Sequence, residues 1–477
     1  MTTMRHLIVF LPGIMGSALQ KNGRDAWALS GGALWSYLTT WGQSVAQLKI
    51  TQEDPRVDDL GDGVTAARLI EDLHTVPGLV QHAGYGPITR RIPEYFDMTV
   101  GSIHAPRDDA NFYAFPYDWR RDNRVSARKL GRFVETQLPK WRAWSGASDA
   151  QVILIGHSMG GLVARFYVEA LGGWKHCRAL ITIGSPHRGA LGAVDTLSNG
   201  FKKLVWDFSG LVRSFSSIHQ LLPVYPVVRV DGAWVRPAET DAIPNVERER
   251  AVAARVEFHD AIRLARESHL NEPGYRQLLI PWVGTRQDTS QSAEVVNGVL
   301  RLSYAPPAGL AAALADGDGT VPRVSTTPAG LENQQIERFV VERHGWMTNA
   351  ESALDPLLDT LQQVGAPAVP GDFHGALESS TRPALGLRLE SVFYPEETPE
   401  VGLRVHAANE PVELRLTVQP TEPGAAPLVR EVRVAPDEAH VETFADLAAG
   451  LYRLTVGPVT RSAAAPEPVH GAFEVVA

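Results

Sequence analysis

Short, nearly continuous apolar runs punctuate the chain up to Gly365: Leu7–Leu11, Val152–Ile155, Leu180–Ile183, Leu278–Val283 and Phe339–Val341. Runs this short, bounded by glycine or polar turns, predict buried strands rather than helices. Between them lie segments with apolar residues at helical spacing. Leu162, Val163, Phe166, Tyr167 and Leu171 form one such face, closed by Gly172 and Gly173. Leu357, Leu358, Leu361 and Val364 form another, which the pattern starts at Asp355-Pro356 and stops at Gly365. Strand and helix in alternation predict an α/β domain over residues 1–365.

The pattern changes twice. From about 195 to 260 the alternation gives way to Phe201, Leu204, Val205, Trp206, Phe208, Leu211, Val212 and Phe215, interleaved with Lys202, Lys203 and Arg213. This segment predicts a cap or lid whose apolar underside takes acyl chains and whose outer face contacts a lipid surface; an ordinary amphipathic helix packed on the core is the alternative. Residues 366–384, rich in Pro, Gly, Ala and Ser, predict a linker. From 385 to 477 the runs Leu387–Phe393, Val401–Val405, Val412–Val418, Val429–Val434, Gly450–Val456 and Gly471–Val476 alternate with period two. Together they predict a small all-β sandwich, immunoglobulin-like in general shape, with a binding or packing role.

One apolar run leads straight into Gly156-His157-Ser158-Met159-Gly160, a G-x-S-x-G motif set between a strand and a helix pattern. In an α/β-hydrolase fold this is the nucleophile elbow, a sharp turn that lifts the serine hydroxyl above the sheet. A serine hydroxyl is a weak nucleophile until a base takes its proton, and the base needs a third group to orient it. In that fold the acid and then the histidine follow the serine, each after a later strand. Asp316-Gly317-Asp318-Gly319-Thr320 offers the acid and His344, just beyond Phe339–Val341, the base. The acidic run also reads as a plain glycine-rich turn. A calcium loop of EF-hand type needs a carboxylate near Thr327 and lacks one.

Other residues compete for these roles. His157 adjoins the serine and points away from it across the elbow, while His187 reads as a loop-ordering or cleft-lining residue. Cys177 stands in a basic setting, Lys175-His176-Cys177-Arg178, but without an elbow. Acyl transfer also needs two donors aimed at the developing oxyanion. The amide of Met159 is one; the glycine-rich loop after the first strand, Pro12–Ser17, offers that of Ile14 as the other.

Four segments resemble the lecithin:cholesterol acyltransferase and lysosomal phospholipase A2 family: Leu11–Ser17, Phe115–Arg121, Gly156–Gly161 and Asp316–Val321. They fall in the family's order and span roughly residues 5–365. The resemblance implies an α/β-hydrolase fold with a lid or cap insertion. It further implies Ser158 as nucleophile, Asp318 rather than Asp316 as acid, His344 as base, and Ile14 and Met159 as oxyanion donors. It implies a lipid acyl ester as substrate, cleaved through an acyl-serine with transfer to water or an alcohol, and no cofactor or metal. Tyr117 and Trp119, with Trp206 and Phe208 of the cap, are candidate substrate-binding residues, though Tyr117 and Trp119 equally suit the bracing of a loop. Animal members carry disulfides, and Cys177 alone can form none within this chain. A bacterial-type member is the nearer likeness.

Composition narrows the partners. A formal net charge of −9 gives no general nucleic-acid footprint, and no apolar run reaches the length of a membrane-spanning helix. The first run is too short for a signal peptide and enters a functional loop, so a cytoplasmic location, with peripheral lipid contact through the lid, is expected. Two alternatives stand beside the lipase reading: a carboxylesterase on small esters, and a non-catalytic recognition protein acting through the C-terminal sandwich.

Overall fold

A computed structural model describes the chain apart from residues 1–2, 29–44, 72–73, 77–79, 83, 204–205, 312–313, 332–336, 367–382 and positions 395, 423, 446, 463 and 477. Seven parallel strands form the central sheet: β1 (Leu7–Leu11), β2 (Val100–Ser102), β3 (Phe112–Ala114), β4 (Val152–His157), β5 (Cys177–Ile183), β6 (Leu279–Gly284) and β7 (Arg338–Val340). Their spatial order is β7-β6-β5-β4-β1-β3-β2. Helices α1 (Gly86–Phe96), α2 (Asn123–Ser145), α3 (Met159–Ala170), α4 (Ala261–His269) and α5 (Glu351–Gly365) flank it.

Both faces of the sheet are covered over β1, β4, β5 and β6, which is why those strands read as unbroken apolar runs. Leu7, Val9, Leu11, Val152, Leu154 and Leu180 point to one side, under Leu130 and Val134 of α2, Leu162 and Val163 of α3 and Ile262 of α4. Ile8, Phe10, Ile153, Ile155, Ile181 and Ile183 point to the other, under Ile88 and Ile92 of α1 and Leu354, Leu357 and Leu361 of α5. Register then decides what meets at the sheet's end. Leu11 pairs with Gly156, and Ile183 with His157, so the loop after β1 and the turn after β5 both leave beside the elbow.

Helix α5 starts at Glu351, not at Asp355-Pro356. The chain is already turning there, with the Ala350 amide bonded to the Trp346 carbonyl, and Ala353 and Leu354 extend the buried face. Pro356 is accommodated inside the helix, and Asp355 pairs with Arg91 instead of capping.

Between β5 and β6 the chain builds an insertion from short pieces rather than one amphipathic helix. It contains the helix Leu191–Ser198, the paired segments Lys202–Lys203 and Trp206–Asp207, single turns Ser209–Val212 and Ser216–His219, and a hairpin of Val228–Val230 with Ala233–Val235. A helical stretch from Arg248 to His269 follows, π-wound over Ala254–Asp260. Phe208, Leu211, Val212 and Phe215 pack into the same core cluster as the inner face of α3. The hairpin also pairs in parallel with Ser292–Val296, a strand that follows β6.

Beyond the linker, nearly all of which lies outside the described residues, two sheets face each other. Their strands are β8 (Ala384–Leu389), β9 (Val392–Phe393), β10 (Glu400–His406), β11 (Val412–Pro420), β12 (Leu428–Val434), β13 (Ala439–Thr443), β14 (Gly450–Pro458) and β15 (Val469–Val475). The orders are β8-β10-β13 and β9-β15-β14-β11-β12, antiparallel except for β9 with β15. Leu387, Leu403, Val405, Leu416, Leu454 and Phe473 form the core of this β-sandwich.

Candidate active site

The strand-to-helix turn at Ser158 is as sharp as the motif predicts. Ser158 has φ 52, a left-handed conformation that non-glycine residues rarely hold, and its amide is fixed to the Ile183 carbonyl at 2.8 Å. Helix α3 starts at the next residue, Met159. At Gly160 a β-carbon would collide with the carbonyl oxygens of Leu11 and Pro12, so glycine there lets the loop after β1 lie directly on the elbow.

Asp318 and His344 meet beside it. His344 Nδ1 donates to Asp318 Oδ2 at 2.6 Å, and the His344 amide donates to the Asp318 carbonyl at 2.8 Å. Asp318 is fully buried; its Oδ1 accepts from the amides of Thr320 at 2.9 Å and Val321 at 2.7 Å. A carboxylate so supplied stays hydrogen-bonded out of water and fixes the Nδ1–H tautomer of the imidazole, leaving Nε2 as its basic nitrogen. Gly184, next after Ile183, bridges this pair to the serine: a β-carbon on it would stand 2.9 Å from Asp318 Oδ2 and 3.0 Å from His344 Nδ1. No hydrogen bond from Ser158 Oγ to His344 is formed among the described residues; such bonds in substrate-free hydrolases commonly close only with substrate. Asp316 lies outside this arrangement, taking the Arg286 amide at 2.9 Å and facing Arg323 at 3.8 Å.

A second network, absent from the motif reading, joins the loops around the serine. The Gly13 amide donates to Tyr85 Oη at 2.7 Å, Tyr85 Oη donates to His157 Nδ1 at 2.9 Å, and His157 Nε2 donates to the His344 carbonyl at 3.1 Å. His157 thus points away from Ser158 and ties the elbow to the loop of His344. Gly13 lies against the serine, its notional β-carbon 2.9 Å from Ser158 Cβ, so the following amide, Ile14, is held near it. Neither the Ile14 nor the Met159 amide has an acceptor among the described residues. Tyr85 carried no signal in the sequence, because nothing in the pattern relates it to a residue 72 positions away.

The remaining candidates take other places. Tyr117 Oη donates to the Pro12 carbonyl at 2.9 Å and Trp119 Nε1 to the Ser17 carbonyl at 2.9 Å. Both are buried, and Trp119 packs edge-on against Trp27 and Phe215. These contacts brace the loop after β1; none of them reaches Ser158. Phe208 is buried against Phe201, and the Trp206 side chain lies outside the described residues. His187 orders its loop through Thr182 Oγ1 at 3.0 Å, and burial beside Arg165 drives its pKa well below the usual histidine value. Cys177 is buried in β5, where desolvation pushes its thiol far above the range of a reactive thiolate. Among the described residues no group of three His, Cys, Asp or Glu is arranged to hold a metal ion, and no helix is long and apolar enough to cross a membrane.

A parallel sheet with a serine on the turn after one strand, and an aspartate and a histidine on loops after later strands, is an α/β-hydrolase fold. Residues 103–267, which run from before β3 through the turn at Ser158 and most of the insertion between β5 and β6, match the family model described as lecithin:cholesterol acyltransferase. The match supports an ester hydrolase or acyltransferase that works on lipids. The chain is similar to the Bacillus licheniformis lipase BlEst2 in its propeptide form, at 11% identity and TM-score 0.29, over 99% of this chain and 94% of that one. It is also similar to the phospholipase PlaB from Legionella pneumophila, at 9% identity and TM-score 0.21, over 99% and 92% of the two chains. No curated protein matches it.

Proposed function

We propose that this protein is a serine lipase or phospholipase that forms an acyl-serine at Ser158 and passes the acyl group to water or an alcohol. The observation that carries the reading is the buried 2.6 Å contact of His344 Nδ1 with Asp318 Oδ2, beside a serine in left-handed backbone at the elbow. Ser158 Oγ attacks the ester carbonyl carbon and its proton moves to His344 Nε2. Asp318 holds the imidazole in the Nδ1–H tautomer and stabilises the imidazolium that forms. The amides of Ile14 and Met159 receive the oxyanion. As the tetrahedral intermediate collapses, the alcohol leaves with the proton from His344. Water or a second alcohol, deprotonated by the same imidazole, then releases the acyl group. The large apolar insertion between β5 and β6 favours long acyl chains over small esters and sets substrate choice.

Mass spectrometry of mixed phospholipid and neutral-lipid vesicles, with and without glycerol, tests this against the Ser158→Ala variant. Fatty-acid release or acyl transfer that disappears in Ser158→Ala is the expected result. No change in any lipid with the unaltered protein would overturn the lipid reading.

A further inference from the structure

The loop that carries His344, and the segment after β6 that bonds to the loop of Asp318, each send a fully buried polar side chain to the C-terminal sandwich. On the base side this is Glu342, two residues before His344 and 0% exposed. Its Oε2 accepts from His470 Nδ1 of β15 at 2.8 Å, and its Oε1 accepts from the His470 amide at 3.1 Å and from the Arg343 amide at 2.8 Å. Arg343 reaches the Leu389 carbonyl at the end of β8, and Trp346 stacks on the His470 ring at 5.3 Å. His344 is therefore flanked on both sides by residues held by the sandwich.

On the acid side the same part is played by Gln287, 1% exposed. Its Nε2 donates to the Leu385 carbonyl at 2.9 Å and its Oε1 accepts from the Leu387 amide at 3.0 Å, so the side-chain amide occupies a strand's place on the edge of β8. Its own amide donates to the Gly317 carbonyl at 3.0 Å, next to Asp318. Thr289 extends the link, accepting from the Gly319 amide at 2.8 Å and donating to the Gln287 carbonyl at 2.9 Å.

A buried carboxylate is tolerated only when its oxygens are fully engaged, and a buried amide that loses both partners is similarly costly. Both side chains thus require the sandwich to be docked, and their backbones set where the acid and the base stand. Resting on the assignment of Ser158, Asp318 and His344, we propose that the sandwich is a positioning part of the active site: His470, through Glu342, and the β8 backbone, through Gln287, hold His344 and Asp318 in reach of Ser158. A sandwich that merely packs against the hydrolase region has no need of two fully buried polar side chains at these two loops.

The full-length chain and its variants His470→Ala, His470→Asn, Gln287→Ala and Ser158→Ala test this. Hydrolysis of p-nitrophenyl butyrate gives kcat and KM, and each variant's thermal melt sets an assay temperature below its transition. Misplacement of a reacting group by a fraction of an ångström to an ångström lowers kcat by roughly 10- to 100-fold. The expected result is a loss of that size in His470→Ala and Gln287→Ala with KM within roughly threefold. His470→Asn, whose amide nitrogen stands where the ring Nδ1 stands, should recover most of it. Retention of kcat in folded His470→Ala and Gln287→Ala, with Ser158→Ala inactive, overturns the proposal and leaves the serine reading intact. So does an equal loss in His470→Asn and His470→Ala. Turnover that survives in Ser158→Ala overturns the serine reading itself, and this inference with it.

Discussion

Ser158 and Gly184 both hold left-handed backbone, at φ 52 and φ 55, on neighbouring turns at the end of the sheet. The serine conformation was legible in the motif, since G-x-S-x-G after a strand has one use in this fold. The role of Gly184 was not, because it depends on what stands against it: Asp318 Oδ2 and His344 Nδ1, brought from more than a hundred residues away. Gly184→Ala is expected to push that pair off its position and to strain the backbone by about 1–2 kcal/mol. Its kcat should fall at least tenfold while the melting temperature drops only modestly; unchanged kcat would show that the pair yields without cost. Tyr85 belongs to the same class. It stands in no motif, yet it links the Gly13 amide to His157 and so to the loop of His344.

Elements were read well where one period dominated and poorly where short pieces met. Strands β1, β4, β5 and β6 are buried along nearly their whole length, and their apolar runs named them; β2 and β13 are short and mostly exposed, so no apolar run announced them. The start of α5 was misplaced because Pro356, three residues after Ala353, was not needed as a boundary: Ala353 and Leu354 bury ahead of it. How α4 is tied to α3 also escaped the pattern. Glu169 of α3, 2% exposed, lies 3.3 Å from Arg266 of α4 and 3.8 Å from Arg165. Burial raises the pKa of the carboxyl and lowers that of Arg165 to about 10, so desolvation outweighs the attraction for both ions. Glu169→Ala leaves two buried cations facing each other and should cost about 3–5 kcal/mol in urea unfolding. A loss below about 1 kcal/mol would mean that water already screens the cluster.

At the scale of the whole molecule, buried histidines govern the response to acid. Burial depresses His6, His219 and His259 to about 4 and drives His187 lower than its ordinary value. Their unfolded forms bind protons first, so the stability they permit is present above about 6.5 and is lost as pH falls from there toward 4. His259, whose Nε2 donates to the Gln220 carbonyl at 2.7 Å, isolates one such term. In His259→Gln the unfolding midpoint should fall less steeply between pH 6.5 and 4 than in the unaltered chain; parallel slopes would sink the assignment. His470 has the opposite sign. Burial lowers its pKa, but the hydrogen bond and charge of Glu342, with Glu351 nearby, more than offset this and raise it. Its contribution is complete below the ordinary histidine value and is lost as pH rises through the raised one, so docking of the sandwich is tightest toward the acid side.

The sequence by itself determined the alternation that makes a buried parallel sheet, the elbow at Ser158, the order of Asp318 and His344 after it, and the period-two runs of the sandwich. These are local properties: a period, a turn, a spacing along the chain. Tertiary structure brought Asp318, which the resemblance had favoured over Asp316, onto His344, chose loop bracing for Tyr117 and Trp119, and alone placed Tyr85, Gly184, Gln287 and Glu342 around these loops. Each of those outcomes is a hydrogen bond or a steric contact between residues far apart in the chain. It exists only once sheet register and domain docking have brought them together and excluded the water that would otherwise satisfy them.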